Sequence, residues 1–209
     1  MTRRTLALAL CLATSRAAGD PPTPTPAQAP SQAPSQAPSQ APAVAPAAPS
    51  LATAVGLPRA PDFSLESTAG ATRRLRDYLG RVVIILYEDR DSNQQNDTLK
   101  RELADHARTE DLTRDVSLVP VANLSSYNFW PAKGYARDAV VDIARQQGYE
   151  IMIDWTGDMG RAYRFRPGQS HVLVLSREGR VLFRTAGPMT ARFRQSFFEA
   201  VSQAIHAPR

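Results

Sequence analysis

A chain of 209 residues, 43% hydrophobic and 22% charged, can bury a sizeable core and has the length of one domain. Its formal charge is +5, but Arg3, Arg4 and Arg16 fall in a leader-like segment. The other 22 basic side chains stand against 20 acidic ones, about +2, too balanced for the concentrated basic face that nucleic-acid binding requires.

Residues 1–17 read as a secretory signal: Arg3 and Arg4, the apolar run Leu6–Thr14, then the small residues Ser15 and Ala17 before a cleavage point. The apolar run is well short of the ~20 residues needed to span a bilayer, so no transmembrane segment is expected. The single cysteine, Cys11, sits inside this run; Leu10 precedes it where lipidation wants a small residue, so a cleaved leader rather than a lipid anchor is expected. The chain beyond it is then exported, periplasmic or otherwise outside the cytoplasm, and free of thiols.

Residues 18–56 form a Pro/Ala/Gln/Ser-rich segment. Ten of the seventeen prolines fall between Pro21 and Pro49, Ser-Gln-Ala-Pro occurs three times between Ser31 and Pro42, and no charge occurs from Pro21 to Pro58. Such a composition cannot bury enough apolar surface to offset chain entropy, so a disordered low-complexity linker is expected, with a spacer or a partner's ligand as the functional alternative.

A folded domain is expected over 57–207. Asp62-Phe63-Ser64-Leu65 alternates like a short strand, and Arg81–Tyr87 is a β-branched run suited to a strand buried on both faces. Leu99, Leu103 and Ala107 recur at helical spacing, Val116–Leu124 predicts another strand, and Ala136, Val140, Ile143 and Ala144 mark a helix face stopped at Gly148. Ile151–Ile153 follows as a short strand. His171–Leu175 and Arg180–Arg184 flank Ser176–Gly179 as a hairpin, and a last helix after Thr190 carries Phe193, Phe197, Val201 and Ile205 on one face. Strands separated by helices, then a hairpin and a helix, predict an α/β three-layer sandwich with a mixed sheet.

The order of these elements resembles the redoxin branch of the thioredoxin-like superfamily. Ala60-Pro61-Asp62-Phe63-Ser64-Leu65 and Leu75–Val83 resemble the opening segment of peroxiredoxins and extracytoplasmic thioredoxins, and Val172–Val181 resembles their closing hairpin. Arg90-Asp91-Ser92, Ile153–Gly157 and Arg161-Ala162 are further similar to the small YtfJ-like group of exported bacterial proteins. The resemblance implies a thioredoxin-like α/β/α sandwich outside the cytoplasm.

It also implies a site that this chain lacks. Catalytic relatives carry a CxxC pair or a peroxidatic cysteine between the long strand and the next helix; here Ser92 and Gln95 stand near those positions, with Asn93 and Gln94 between them, and Ser170 stands where a cis-proline is usual. The chemistry depends on a thiolate whose pKa of ~8.5 is lowered at a helix N-terminus. A serine hydroxyl stays protonated there and forms no mixed disulfide. No thiol oxidoreductase or peroxidase activity is expected.

Other chemistries have simpler alternatives. Ser92 could be a nucleophile only with a base, for which His171 is the one placed histidine; the alternative is a serine capping the helix. Glu150, Asp154 and Asp158 could offer oxygens to a cation but match no known loop, so no metal is expected; no phosphate loop or dinucleotide fingerprint is present, so no cofactor is expected. Tyr127, Phe129 and Trp130, beside Pro131, form either a partner-binding loop or a satellite of the core. Arg161, Arg164 and Arg166 read as a solvated face, with anionic polysaccharide or lipid binding as the alternative. The expectation is a non-catalytic module binding an envelope protein or peptide; the other reading is an enzyme of non-thiol chemistry centred on Ser92–Gln95.

Overall fold

The computed structural model describes residues 58–109 and 114–207, so the expected leader, Cys11 and the proline-rich segment lie outside the described residues. The elements are β1 (Ser64–Ser67), β2 (Thr72–Arg74), β3 (Val82–Glu88), α1 (Asp97–Thr109), β4 (Val116–Asn123), α2 (Ala132–Gln147), β5 (Met152–Asp154), α3 (Asp158–Ala162), β6 (His171–Leu175), β7 (Val181–Ala186) and α4 (Ala191–His206).

Seven strands form one mixed sheet in the order β2-β1-β5-β4-β3-β6-β7. β3 lies in its central part, next to the middle strand β4, parallel to β4 in the register Ile84↔Leu118 and antiparallel to β6 in the register Ile85↔Leu173. The first six residues of β3 are buried, as its unbroken apolar run requires. Alternate side chains of that strand feed two cores. Val82, Ile84 and Leu86 pack with Leu99 and Leu103 of α1 and with Phe197, Ala200 and Val201 of α4. Val83, Ile85 and Tyr87 pack with Val119, Val121, Met152, Met159 and Leu173 on the opposite face.

A third cluster places α2 on the α1 side, since its Val140 and Ala144 meet Ile153, whose register partner Ala122 lies opposite Glu88. Two parallel crossovers running the same way across the sheet put both helices on one face. One face is thus covered by α1, α2 and α4, the other by the five-residue α3 and the segments around Phe63 and Tyr163.

Local signals explain the ends of the helices. Gly148 adopts φ 74° after α2 and its N–H returns to Ala144 C=O at 2.9 Å, the left-handed stop that glycine takes without strain. Thr190 Oγ1 accepts from Phe193 N–H and caps α4.

Three details differ from the sequence expectation. The first strand begins at Ser64 rather than Asp62, since Asp62 Oδ1 accepts from Phe63 N–H, which therefore pairs locally and not along a strand. β2 is an additional strand, invisible to hydropathy because Thr72-Arg73-Arg74 pairs with β1 at an exposed edge. Ile143 of α2 is exposed, not part of the packed face.

Candidate functional site

The loop from Asp89 to Asn96 leaves the carboxyl end of β3, where open α/β sheets place their sites, and delivers the chain to α1. The last strand residue, Glu88, is largely buried. Its carboxylate pairs with Lys100 Nζ at 2.8 Å and accepts a 2.9 Å hydrogen bond from Ser170 Oγ. Burial pushes the Glu88 carboxyl above the usual range, and the Lys100 ammonium only partly offsets this. Lys100 Nζ also donates to the Asn93 carbonyl, tying the first turn of α1 back onto the loop.

The loop closes on itself through Asp89 and Ser92. Ser92 Oγ donates to Asp89 Oδ1 at 2.7 Å and accepts from Asp89 N–H at 2.9 Å; Ser92 N–H also reaches Asp89 Oδ1 at 3.0 Å. The serine is 0% exposed. It therefore does not cap the helix, which begins five residues later at Asp97. Its hydroxyl is consumed by the turn that α1 follows.

Gln95 and Asn96 then reach across to the other end of the domain. Gln95 Nε2 donates to Gly168 C=O at 2.8 Å, and its Oε1 accepts from Ser170 N–H at 3.0 Å. Asn96 Nδ2 donates to Ser170 Oγ at 2.9 Å and to Gly187 C=O at 3.2 Å, while its Oδ1 accepts from Met189 N–H at 2.8 Å. Asp89 Oδ2 takes Gly168 N–H at 2.7 Å. The structure thus brings Ser92, Gln95 and Ser170 into one hydrogen-bonded cluster and leaves Asn93 and Gln94 exposed beside it. Glu88, Asp89, Asn96 and Lys100 belong to the cluster too, although sequence reasoning did not single them out. Asn96, directly before the helical spacing begins, was the one available hint, since asparagine is favoured at helix starts, where its side chain finds hydrogen-bond partners.

His171 does not serve this loop. It is 2% exposed, stacks on Phe165 at 4.4 Å, and its Nε2 meets the Arg166 backbone, whose N–H lies at 2.8 Å. Burial holds its pKa below the ordinary value. Among the described residues the hydrogen-bond partners of Ser92 Oγ are the carboxylate, N–H and C=O of Asp89, so the alternative of a serine nucleophile activated by His171 is not formed.

The acidic residues offered to a cation are used otherwise. Glu150 binds Arg73 through both carboxylate oxygens, and Asp158 is held by Thr156 and Arg161. Asp154, 1% exposed, accepts from Tyr87 Oη at 3.0 Å and Gly160 N–H at 3.2 Å. Among the described residues no group of three candidate ligands could hold a metal ion.

The aromatic loop divides. Tyr127 packs partly against the α2 core, and its hydroxyl accepts a 3.4 Å hydrogen bond from Arg90 Nη1, linking it to the start of the Asp89–Asn96 loop. Phe129 and Trp130 are 59% and 91% exposed, so these two are not a core satellite. Arg161, Arg164 and Arg166 are all exposed.

No family model matches the chain, and no curated protein sequence does. Solved structures do match its fold. A protein assigned as the thiol:disulfide interchange protein DsbE of Chlorobium tepidum aligns with TM-score 0.55 and 19% identity, over 71% of this chain and 96% of that one. Peroxiredoxin Q of Xanthomonas campestris aligns with TM-score 0.52 and 15% identity, over 68% and 91%. The pneumococcal exposed lipoprotein thioredoxin Etrx1 of Streptococcus pneumoniae aligns with TM-score 0.50 and 16% identity, over 68% and 99%. At such identities the likeness shows the fold: the domain has the thioredoxin-like architecture. The described residues contain no cysteine, and no helix among them is long and apolar enough to cross a membrane.

Proposed function

We propose that this is an exported thioredoxin-fold module, of the YtfJ-like kind, that binds a protein or peptide partner in the cell envelope and carries out no thiol chemistry. The observation that carries the reading is the state of the loop where relatives with the fold keep their sulfur. Ser92 is fully buried with its hydroxyl consumed by Asp89, and Gln95 is fastened to Gly168 and Ser170. A catalytic loop must offer a reactive atom to a substrate, and a thiolate in particular must be reachable. Here the same loop is closed by side-chain hydrogen bonds, which favours a structural over a chemical use.

Extracytoplasmic placement is supported by the leader-like residues 1–17 and by the fold's occurrence in an exposed lipoprotein. The exposed Phe129 and Trp130 supply apolar surface of the kind that partner recognition uses. Testing is direct: the full chain is assayed for insulin disulfide reduction and hydroperoxide turnover. No rate above the blank is expected. Turnover that survives alkylation of Cys11 would overturn the reading in favour of non-thiol chemistry at the Ser92–Gln95 loop.

A further inference from the structure

The segment that follows α3 is built in an unusual way. Phe165 N–H donates to Gly160 C=O at 2.8 Å and Arg164 N–H to Arg161 C=O at 3.0 Å, the paired bonds of a Schellman stop. The left-handed position in such a stop normally belongs to glycine. Here it is Arg164, at φ 54°, the only non-glycine residue with positive φ among the described residues. A side chain kept at a strained backbone position directs attention to what that side chain does.

The backbone around it is fixed from several sides. Arg184 Nη2 donates to the carbonyls of Tyr163 at 2.6 Å and Arg164 at 3.2 Å, and its guanidinium lies 5.5 Å over the Phe165 ring. Arg166 N–H is held by His171, and Gly168 is bound through its N–H to Asp89 and through its C=O to Gln95. Arg161 and Arg184 are thereby occupied, Arg161 by Asp158 and the Thr156 carbonyl. The side chains of Arg164 and Arg166 have neither carboxylate nor carbonyl partner among the described residues and stand in solvent. Two guanidiniums are thus presented by a rigid loop that is hydrogen-bonded directly to the closed Asp89–Gln95 loop.

We infer that the Arg164–Gly168 loop is an anion-recognition element that takes the carboxylates of an acidic polypeptide segment, an inference that rests on the binding-module reading and names its partner's chemistry. Guanidiniums bind carboxylates bidentately, and a backbone fixed in advance lowers the ordering cost of the complex. A lipid surface asks for a broader field of several clustered cations. This loop offers two free ones, since Arg161 is taken by Asp158 and Arg184 by backbone carbonyls.

The test uses the full chain and a labelled peptide of alternating Asp and Ser, with its Asn/Ser counterpart, read by fluorescence anisotropy. The Asp peptide is expected to bind and the Asn peptide not. Arg166→Gln and Arg164→Gly should each weaken binding by about tenfold, the effect of losing one guanidinium–carboxylate pair. Arg76→Gln, on an exposed turn after β2, should change nothing. Arg164→Gly is also expected to melt at a higher temperature, so its lost affinity cannot come from unfolding. Binding of the Asp peptide by both loop variants as tight as by the wild type, a tenfold loss in Arg76→Gln, or capture of phosphatidylglycerol vesicles without peptide binding would each overturn the inference. Disulfide or hydroperoxide turnover would instead remove the binding-module reading itself, whatever the peptide does.

Discussion

The Tyr87 hydroxyl donates a 3.0 Å hydrogen bond to Oδ2 of the buried Asp154, joining the end of β3 to the end of β5. Burial, reinforced by the Asp154 charge, holds the phenol well above its ordinary pKa, so Tyr87 remains a proton donor at every physiological pH. Gly160 N–H supplies the second bond to the same oxygen at 3.2 Å. A Cβ on Gly160 would stand 2.5 Å from that hydroxyl. Three residues from three elements therefore share one crowded polar contact.

From this contact a double-mutant cycle follows. Tyr87→Phe removes a donor from a buried carboxylate and should cost ~1–3 kcal/mol. Gly160→Ala forces the ring to shift against Phe165, 4.7 Å away, and should cost about 1–3 kcal/mol. The double variant should cost less than the sum, because phenylalanine deletes the atom that the new methyl meets. Urea midpoints measure all three; strict additivity would contradict the geometry.

Glu88 makes stability depend on pH in a direction opposite to that of an ordinary salt-bridged carboxylate. Its native pKa lies above the free value of 4.5, so between the two the folded state holds more protons than the unfolded state. Stability is then fully present below about pH 4.5 and declines as pH rises through the raised native value, becoming level beyond it. Glu88→Gln keeps an oxygen for Ser170 Oγ and should remove this decline. Chemical denaturation across mildly acidic to neutral pH will show the slope in the wild type and its absence in the variant.

Burial of Ser92 predicts how a restored sulfur would behave. In Ser92→Cys the thiol should react with a soluble disulfide reagent only when the chain opens, and urea should accelerate the labelling strongly. Fast labelling in the folded state would mean that the loop is open. Ser92→Ala should destabilise by ~1–3 kcal/mol, since Asp89 N–H and Oδ1 both lose a partner.

Arg164→Gly should stabilise the domain. Left-handed backbone costs an L side chain roughly 1–2 kcal/mol, and glycine adopts it freely; its extra freedom in the unfolded chain returns part of that, leaving a gain of about 1 kcal/mol. A calorimetric melting point at or below that of the wild type would rule out strain at this position.

The two tryptophans should separate cleanly. Trp130, 91% exposed, can become alanine with a change within about ±0.5 kcal/mol and should be quenched freely by acrylamide. Trp155 donates to Glu66 at 3.2 Å and lies under Lys133 Nζ, 4.8 Å from its ring; Trp155→Phe should lower the denaturation midpoint measurably.

The framework was readable because apolar pattern and burial coincide in it. Val82–Leu86, the β6–β7 hairpin and the Phe197–Val201 face of α4 are continuous or periodic in apolar residues and fill the cores as expected. β2 lacked any such mark, and Ile143 satisfied the helical period yet is exposed, outside the cluster that Val140 and Ala144 join. The site was legible only by position. Ser92, Gln95 and Ser170 could be placed near one another, but not the partners that close the loop, because Asp89, Asn96 and Lys100 are ordinary surface types until tertiary structure buries them. His171 shows the same limit: its place at the start of β6 was clear, yet its ring turns to Phe165, a neighbour that hydropathy alone does not reveal.

Gln95 and Asn96 connect to positions 73 to 93 residues further along the chain. Closing spans of that length is entropically costly before the strands have assembled, so these amides can lock only after the C-terminal hairpin is in place. The loop is in effect the fold's latch, among the last parts set and the first released. Exchange of its amide protons should therefore report whether β6, β7 and α4 remain docked.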